Sequence, residues 1–258
     1  MSTVQLEINN HIAFVTLNRE QALNSFDYEM LCNLQNVVDE IHLNKNIQVV
    51  IFTGAGNKAF SAGADLKERK SLSESEVRRN VKAIREVFNK VASLPQPTIA
   101  AVNGYALGGG FEFILACDLA IAARSVTMGL TETSWAIIPG AGGTQRLPRL
   151  IGEMKAKELM FTARKISSEE AYELGIVLQV VEQDDLLDAC HKLAQQILKN
   201  GPIAIQQVKY AINQGLNTDL QTGLEIEAKA YERTISTEDR LEALRAFSEK
   251  RTPQFKGR

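Results

Sequence analysis

Apolar positions along the chain switch between two periods. Val4–Ile8 and His11–Leu17 alternate or run apolar on either side of Asn9-Asn10, a pattern that predicts a hairpin with a tight polar turn. From Tyr28 to Leu43, Met30, Leu31, Leu34, Val37, Val38 and Ile41 recur at helical spacing. Val49–Phe52 predicts a short buried strand that stops at Gly54. Ser73 followed by Glu76 carries the capping-box signature of a second long helix, which ends before Pro95. Thr98–Val102 reads as a strand, Phe111 to about Cys117 as a helix, and Leu119–Ala123 as a strand again. Strands therefore alternate with helices over roughly the first two-thirds, which favours an α/β layered fold with both sheet faces covered. After Pro139 the pattern changes. Ser167 with Glu170 opens another capped helix, Ile176–Val181 is the last predicted strand, and from Asp185 onward the chain reads almost wholly helical. The expected division is an α/β core over residues 1–200 and a helical C-terminal subdomain over 201–258.

Composition narrows the function classes. The chain has 258 residues, 45% hydrophobic and 23% charged, which is ordinary for a soluble globular protein. The formal net charge of −2 gives no global pull toward nucleic acid or an anionic membrane. No apolar run approaches the roughly 20 residues that span a bilayer. The segment Met1–Glu7 lacks a basic region followed by an apolar core, so no signal peptide is expected. Cys32, Cys117 and Cys190 are scattered and odd in number, and His11, His42 and His191 are isolated. Neither a disulfide framework nor a metal site is expected, and the composition fits a cytoplasmic protein without a metal.

Three small-residue clusters carry the candidate chemistry. Gly108-Gly109-Gly110 precedes Phe111-Glu112. Three glycines do not belong in a helix interior, where each costs about 1 kcal/mol relative to alanine. They suit a place where backbone approaches a ligand, and a helix starting behind them points unpaired N–H groups and its positive dipole end outward. The second cluster, Ser61-Ala62-Gly63-Ala64-Asp65, offers further N–H groups. The third, Pro139-Gly140-Ala141-Gly142-Gly143, reads as a turn feeding a helix, with Glu132 a short distance upstream. Taken singly, the first serves tight packing as readily as catalysis, the second reads better as a strand-to-helix loop, and most glutamates placed like Glu132 are solvated loop residues. Gly54-Ala55-Gly56 after a strand is a weak dinucleotide fingerprint, and the small and breaker residues running on to Ala64 argue against the helix it requires. A Walker-type phosphate loop and a nucleophile elbow are absent.

Together the clusters are similar to the crotonase superfamily, and to enoyl-CoA hydratases in particular. The likeness rests on FSAGADLKE (60–68), NGYALGGGFEFILACDLAIAA (103–123) and MGLTETSWAIIPGAGGTQRLPRLIG (128–152), supported by ALN (22–24) and AFSEKR (246–251), and it covers essentially the whole chain. The resemblance implies a spiral of ββα units followed by a helical trimerisation subdomain, assembled as a trimer or a dimer of trimers. It implies that the N–H groups of Ala64 and Gly109 hold a thioester carbonyl oxygen, and that Glu112 and Glu132 flank one water. It places Ala22, Leu23, Ala62, Asp65, Leu66, Gly108, Pro139 and Gly140 along the acyl-CoA substrate, with Phe247 and Lys250 reaching coenzyme A from a neighbouring subunit. Coenzyme A is then part of the substrate and no separate cofactor is expected.

Two carboxylates around one water suit hydration, because one can take a proton from the water while the other gives one to Cα. Which glutamate plays which part is open at this level. One subgroup, the AU-rich-RNA-binding methylglutaconyl-CoA hydratases, resembles the chain more closely. Its RNA contact is a lysine-rich helix, whereas Tyr28–Lys45 carries lysine only at its end, so nucleic acid is not an expected partner. Phe111 is bulkier than the residue usual before the first glutamate, which implies a reshaped acyl pocket. Straight-chain and branched enoyl thioesters both stay open, as does double-bond isomerisation.

Overall fold

A computed structural model describes residues 2–258, and among them no helix is long and apolar enough to cross a membrane. The chain divides into two compact units. Among the described residues the first comprises 2–94 and 98–191, the second 95–97 and 192–258, against an expected boundary near residue 200.

The first unit opens with β1 (Val4–Asn9) paired antiparallel to β2 (Ile12–Leu17), with Asn9 opposite Ile12. The turn is therefore Asn10-His11 rather than Asn9-Asn10. Both residues have positive φ, 45° and 68°, the backbone of the two-residue hairpin turns whose twist matches the flanking strands. A short 3₁₀ turn (Glu20–Ala22) leads to α1 (Tyr28–Leu43). Asp27 caps α1 by accepting from the Met30 N–H, and its inner face buries Met30, Leu31, Leu34, Val38 and Ile41. Burial of that size stabilises by roughly 1.5–3 kcal/mol per side chain. Then follow β3 (Val49–Gly54), β4 (Ala59–Ser61), α2 (Leu66–Ser71) and α3 (Glu74–Ser93), the last closed at its start by the Ser73–Glu76 capping box.

The pattern of two strands and a helix repeats. β5 (Thr98–Val102), β6 (Tyr105–Leu107) and α4 (Gly109–Ala116) form the next turn. β7 (Leu119–Ala123) and β8 (Thr127–Gly129) lead through a 3₁₀ turn (Glu132–Trp135) to α5 (Gly143–Ile151) and α6 (Glu153–Thr162). β9 (Ile166–Ser167), α7 (Ser168–Glu173), β10 (Gln179–Val181) and α8 (Leu186–Leu198) complete the walk, with α8 running across the division into the second unit.

The first strand of each repeat joins a six-stranded sheet in the order β1-β2-β3-β5-β7-β10, parallel after the opening hairpin. The second strands, β4, β6 and β8, form a four-stranded sheet in the order β4-β6-β8-β9, closed by β9 antiparallel to β8. Each ββα repeat thus advances one place in both sheets at once, which generates a spiral. The members of the second sheet are two or three residues long, too short for an alternating pattern, and sequence periodicity misses them. It also misses α2, a six-residue helix in the expected loop, and overextends β10.

The core of this unit is aromatic. Phe113 of α4 lies 5.1 Å from Phe52, 4.9 Å from Phe88, 5.9 Å from Phe60 and 6.0 Å from Phe26, ring centre to ring centre. These five phenylalanines come from β3, α3, β4, α4 and the segment before α1, so one ring ties the helix behind the glycine cluster to most of the surrounding elements.

The second unit contains α9 (Pro202–Gly215), α10 (Leu220–Ile235) and α11 (Glu238–Ser248). Lys209 Nζ donates to the Gln96 carbonyl at 2.9 Å, tying residues 95–97 into it. The Asp239 carboxylate accepts from the N–H groups of Lys256 and Gly257 and holds the C-terminal tail. Leu216, Leu220 and Tyr231 are exposed on α9 and α10 or between them.

Candidate active site

α4 begins inside the triple glycine, at Gly109, so two of the three glycines occupy its first turn and Gly108 is its N-cap. Gly108 has φ +51° and ψ −120°, and a Cβ there would sit 3.0 Å from Glu132 Oε1. The backbone conformation disfavours any side chain there, and an added methyl group would push against the Glu132 carboxylate. On the facing segment, Gly63 has φ +89°, and a Cβ on it would lie 2.6 Å from the Leu107 carbonyl and 3.0 Å from the Gly109 nitrogen. A Cβ at Gly109 would in turn be 3.7 Å from the Ala64 nitrogen. The Ala64 and Gly109 backbones are therefore neighbours, although they are distant in sequence. Neither N–H donates to an acceptor among the described residues.

Glu112 stands in the first turn of α4 and is 2% exposed. Its Oε1 accepts from the N–H groups of Ala141 and Gly143, both at 2.8 Å. Burial pushes its carboxyl above the ordinary glutamate value, while those N–H bonds and the charge of Arg146 pull the other way. Arg146 is fixed by donating to the Ala141 carbonyl at 2.8 Å and to Asn89 Oδ1 at 2.7 Å. A methyl group at Gly143 would lie 3.1 Å from Glu112 Oε1, so the glycine lets the α5 N-terminus close on the carboxylate.

Glu132 opens the 3₁₀ turn after β8. Its Oε2 is buried without a hydrogen-bond partner among the described residues. Burial, then the charge of Glu112, push its carboxyl up to about 7. Both effects favour the protonated carboxyl over the carboxylate. The two glutamates are thus electrostatically coupled and differently furnished. One accepts two N–H bonds beside an arginine, and the other has a bare oxygen.

The expected substrate contacts fall into three places. The Ala62 N–H donates to the Leu23 carbonyl at 3.0 Å, bringing Ala22-Leu23 beside Ala62. Phe26 and Ala64 form an isolated bridge, with Phe26 N–H to Gly63 carbonyl and Asp65 N–H to Phe26 carbonyl. Asp65 then caps α2, whose first residue is Leu66. Pro139 and Gly140 lie in the loop before α5, where Pro139 Cβ would be 3.0 Å from a Cβ on Gly143. Phe247 and Lys250 belong to the second unit, Phe247 fully open at the end of α11 and Lys250 just beyond it with φ +53°. Phe111 is wholly buried in the first unit. Ala141 and Gly143 lie in the third small-residue cluster, but nothing local in the sequence marks their N–H groups as donors to Glu112 or brings in Arg146. The glycine run at 140–143 marks only a close approach of backbone.

Comparison with known proteins matches this arrangement to one family. The family model for enoyl-CoA hydratase/isomerase matches residues 7–258. YngF of Bacillus subtilis, whose name places it among enoyl-CoA hydratases/isomerases, is 56% identical over 249 residues, covering 96% of each chain. The mitochondrial methylglutaconyl-CoA hydratase of Rattus norvegicus is 49% identical over 255 residues, which cover 97% of this chain and 81% of the rat protein. A crystal structure of an enoyl-CoA hydratase from Bacillus anthracis superposes with a TM-score of 0.98 at 52% identity, over 99% of this chain and 100% of that one. With nearly its whole length matched in sequence and in fold, the chain belongs to the enoyl-CoA hydratase/isomerase family, the crotonases.

Proposed function

We propose that the protein is an enoyl-CoA hydratase that adds water syn across the double bond of a 2-enoyl-CoA, giving a 3-hydroxyacyl-CoA. The observation that carries this reading is the pair of unlike glutamates. Glu112, held by two N–H groups and facing Arg146, is furnished as the anion. Glu132, pushed up to about 7, is furnished as the acid. In this scheme Glu112 takes a proton from water as its oxygen bonds to Cβ, and Glu132 gives its proton to Cα. Both act from one side of the substrate, hence the syn outcome. A proton then returns from Glu112 to Glu132 and resets the pair. Negative charge reaches the thioester oxygen as Cβ is attacked. The N–H groups of Ala64 and Gly109, with the α4 N-terminus behind them, stabilise it in the transition state. Each such donor lowers the barrier by about 3 kcal/mol in measured oxyanion holes.

The same reading lays coenzyme A along Ala22, Leu23, Ala62, Asp65 and Leu66, and the acyl group beside Gly108, Pro139 and Gly140. It assigns self-association as a trimer or dimer of trimers to the helical second unit, with Phe247 and Lys250 of a neighbouring copy on coenzyme A. It places the protein in the cytoplasm. A methylglutaconyl-CoA substrate is the second reading, favoured by the identity to the rat hydratase of that name. Both carboxylates are present, which argues against a pure isomerase. The test is the loss of enoyl-thioester absorbance on adding protein to crotonyl-CoA, followed by a panel of straight-chain, branched and dicarboxylic enoyl thioesters. No turnover across the panel overturns the hydratase reading.

A further inference from the structure

Three charged side chains meet beneath the segment that carries Ala64. Arg19 Nη1 and Nη2 both donate to Asp65 Oδ2 at 3.0 Å. Its Nη2 also lies 2.9 Å from Asp27 Oδ2, and its Nη1 donates to the Ser25 carbonyl at 2.6 Å. All three ionic side chains are largely buried, at 16% exposure for Arg19, 18% for Asp27 and 10% for Asp65. Each carboxylate has a second task. Asp27 Oδ1 accepts from the Met30 N–H at the start of α1, and Asp65 Oδ1 accepts from the N–H groups of Lys67 and Glu68 at the start of α2. Burial pushes the Asp65 carboxyl up, but the N–H bonds and Arg19 outweigh it and hold the group below its ordinary value.

The guanidinium therefore clamps residues 25–27 onto residues 63–65, the two stretches joined by the Phe26–Ala64 bridge. Ala64 sits directly before the clamped Asp65, and its nitrogen would be 3.7 Å from a Cβ on Gly109. We propose that Arg19 is a positioning residue for catalysis: by fastening Asp65 and Asp27 it fixes the Ala64 N–H at the distance from Gly109 at which both hold one thioester oxygen. What the N–H holds rests on the hydratase reading, whereas the clamp itself does not. Without Arg19, two buried carboxylates face each other with no cation, and the 63–65 segment moves to relieve them. Displacement of a catalytic donor by about 1 Å costs on the order of 100-fold in rate. Lysine supplies the charge but not the fork that reaches Asp65, Asp27 and the Ser25 carbonyl together, so it restores the function only in part.

The test compares wild type, Arg19→Lys and Arg19→Ala as full-length protein. Three quantities are read: backbone amide exchange of the 62–66 segment, kcat and KM with crotonyl-CoA, and the absorption red shift of a bound chromophoric cinnamoyl-CoA thioester. The red shift reports polarisation of the carbonyl. Arg19→Ala is expected to exchange at 62–66 at least about tenfold faster while β5 and α4 keep their protection. Its kcat is expected to fall roughly 10- to 100-fold with a smaller change in KM, and the red shift to shrink. Arg19→Lys falls between. Unchanged exchange at 62–66 overturns the clamp. Faster exchange with a full red shift and wild-type kcat overturns the catalytic role and leaves a structural ion cluster. A wild-type protein inactive toward enoyl thioesters overturns the hydratase reading instead, and the exchange result still decides the clamp.

Discussion

The Glu132 carboxylate stands over Gly108 at the point where the backbone turns into α4: a single methyl group on the glycine would lie 3.0 Å from its Oε1. The glutamate comes from the third ββα repeat and the glycine from the second, so the contact joins two turns of the spiral. Gly108→Ala therefore meets both a positive φ and a carboxylate. It is expected to cost about 1–3 kcal/mol in stability from the backbone alone, and to lower kcat by displacing Glu132. Chemical denaturation and steady-state kinetics on the same preparation check this. Wild-type kcat in the variant would show that the contact does not matter for turnover.

Removing either carboxyl should stop turnover without unfolding the chain. Glu112→Gln and Glu132→Gln are each expected to lose roughly 10²–10⁴-fold in kcat with crotonyl-CoA while keeping the wild-type circular dichroism spectrum. Glu112→Gln also turns one acceptor oxygen into an NH₂ group. If that group faces the N–H groups of Ala141 and Gly143, two buried donors lose their acceptor, which adds a stability loss of about 1–3 kcal/mol that Glu132→Gln does not share.

The pH profile follows from the unlike furnishing of the pair. The acid must hold its proton, so kcat/KM falls as pH rises through about 7, where Glu132 ionises. The base must be ionised, so a second fall appears on the acid side when Glu112 takes a proton, at a pH above the ordinary glutamate value. A bell measured with a fast-binding enoyl thioester checks both limbs. A rate that stays flat from neutral to strongly alkaline pH would contradict the assignment of Glu132 as acid.

The same raised pKa makes a stability prediction. Glu132 goes from 4.5 in the unfolded chain to about 7 when folded, so the folded state binds the proton more tightly. Its penalty on folding is absent below pH 4.5, grows as pH rises, and is complete above about 7. Glu132→Gln removes it. At pH 8 the variant is expected to be more stable than wild type by up to about 3 kcal/mol, and at pH 4 the two should coincide. Denaturation midpoints at the two pH values decide it, and an equal offset at both would refute the linkage.

Phe113→Ala is expected to cost about 3–5 kcal/mol, because a ring in contact with four others leaves a cavity that none of them can fill. Denaturant titration measures the loss. Kinetics on the folded fraction should show a smaller drop in kcat than for Glu112→Gln.

Long elements were legible in the sequence because their physics is local. The period of α1 and the capping box of α3 match the structure to the residue at their starts. β5 reads as a continuous apolar run because it is covered on both faces. The second sheet was not legible, since strands of two or three residues are made by their neighbours in space rather than by any pattern of their own. The hairpin turn slipped by one residue because Asn9 is as good a turn former as Asn10, and only pairing register separates them. At the site, the glycine clusters marked where backbones approach. The N–H donors on Glu112 lie about thirty residues away from it in sequence and become visible only once α5 folds back over α4.

The aromatic hub carries a consequence for redesign. Glu112 and Phe113 are adjacent on a helix that is buried along nearly its whole length, so a change aimed at the reacting groups from α4 is also a change to the hydrophobic interior. Segments outside that interior can be rebuilt at less cost to the fold. The loop at Ile137-Ile138, solvent-facing and one step from Pro139, is the natural place to graft new specificity.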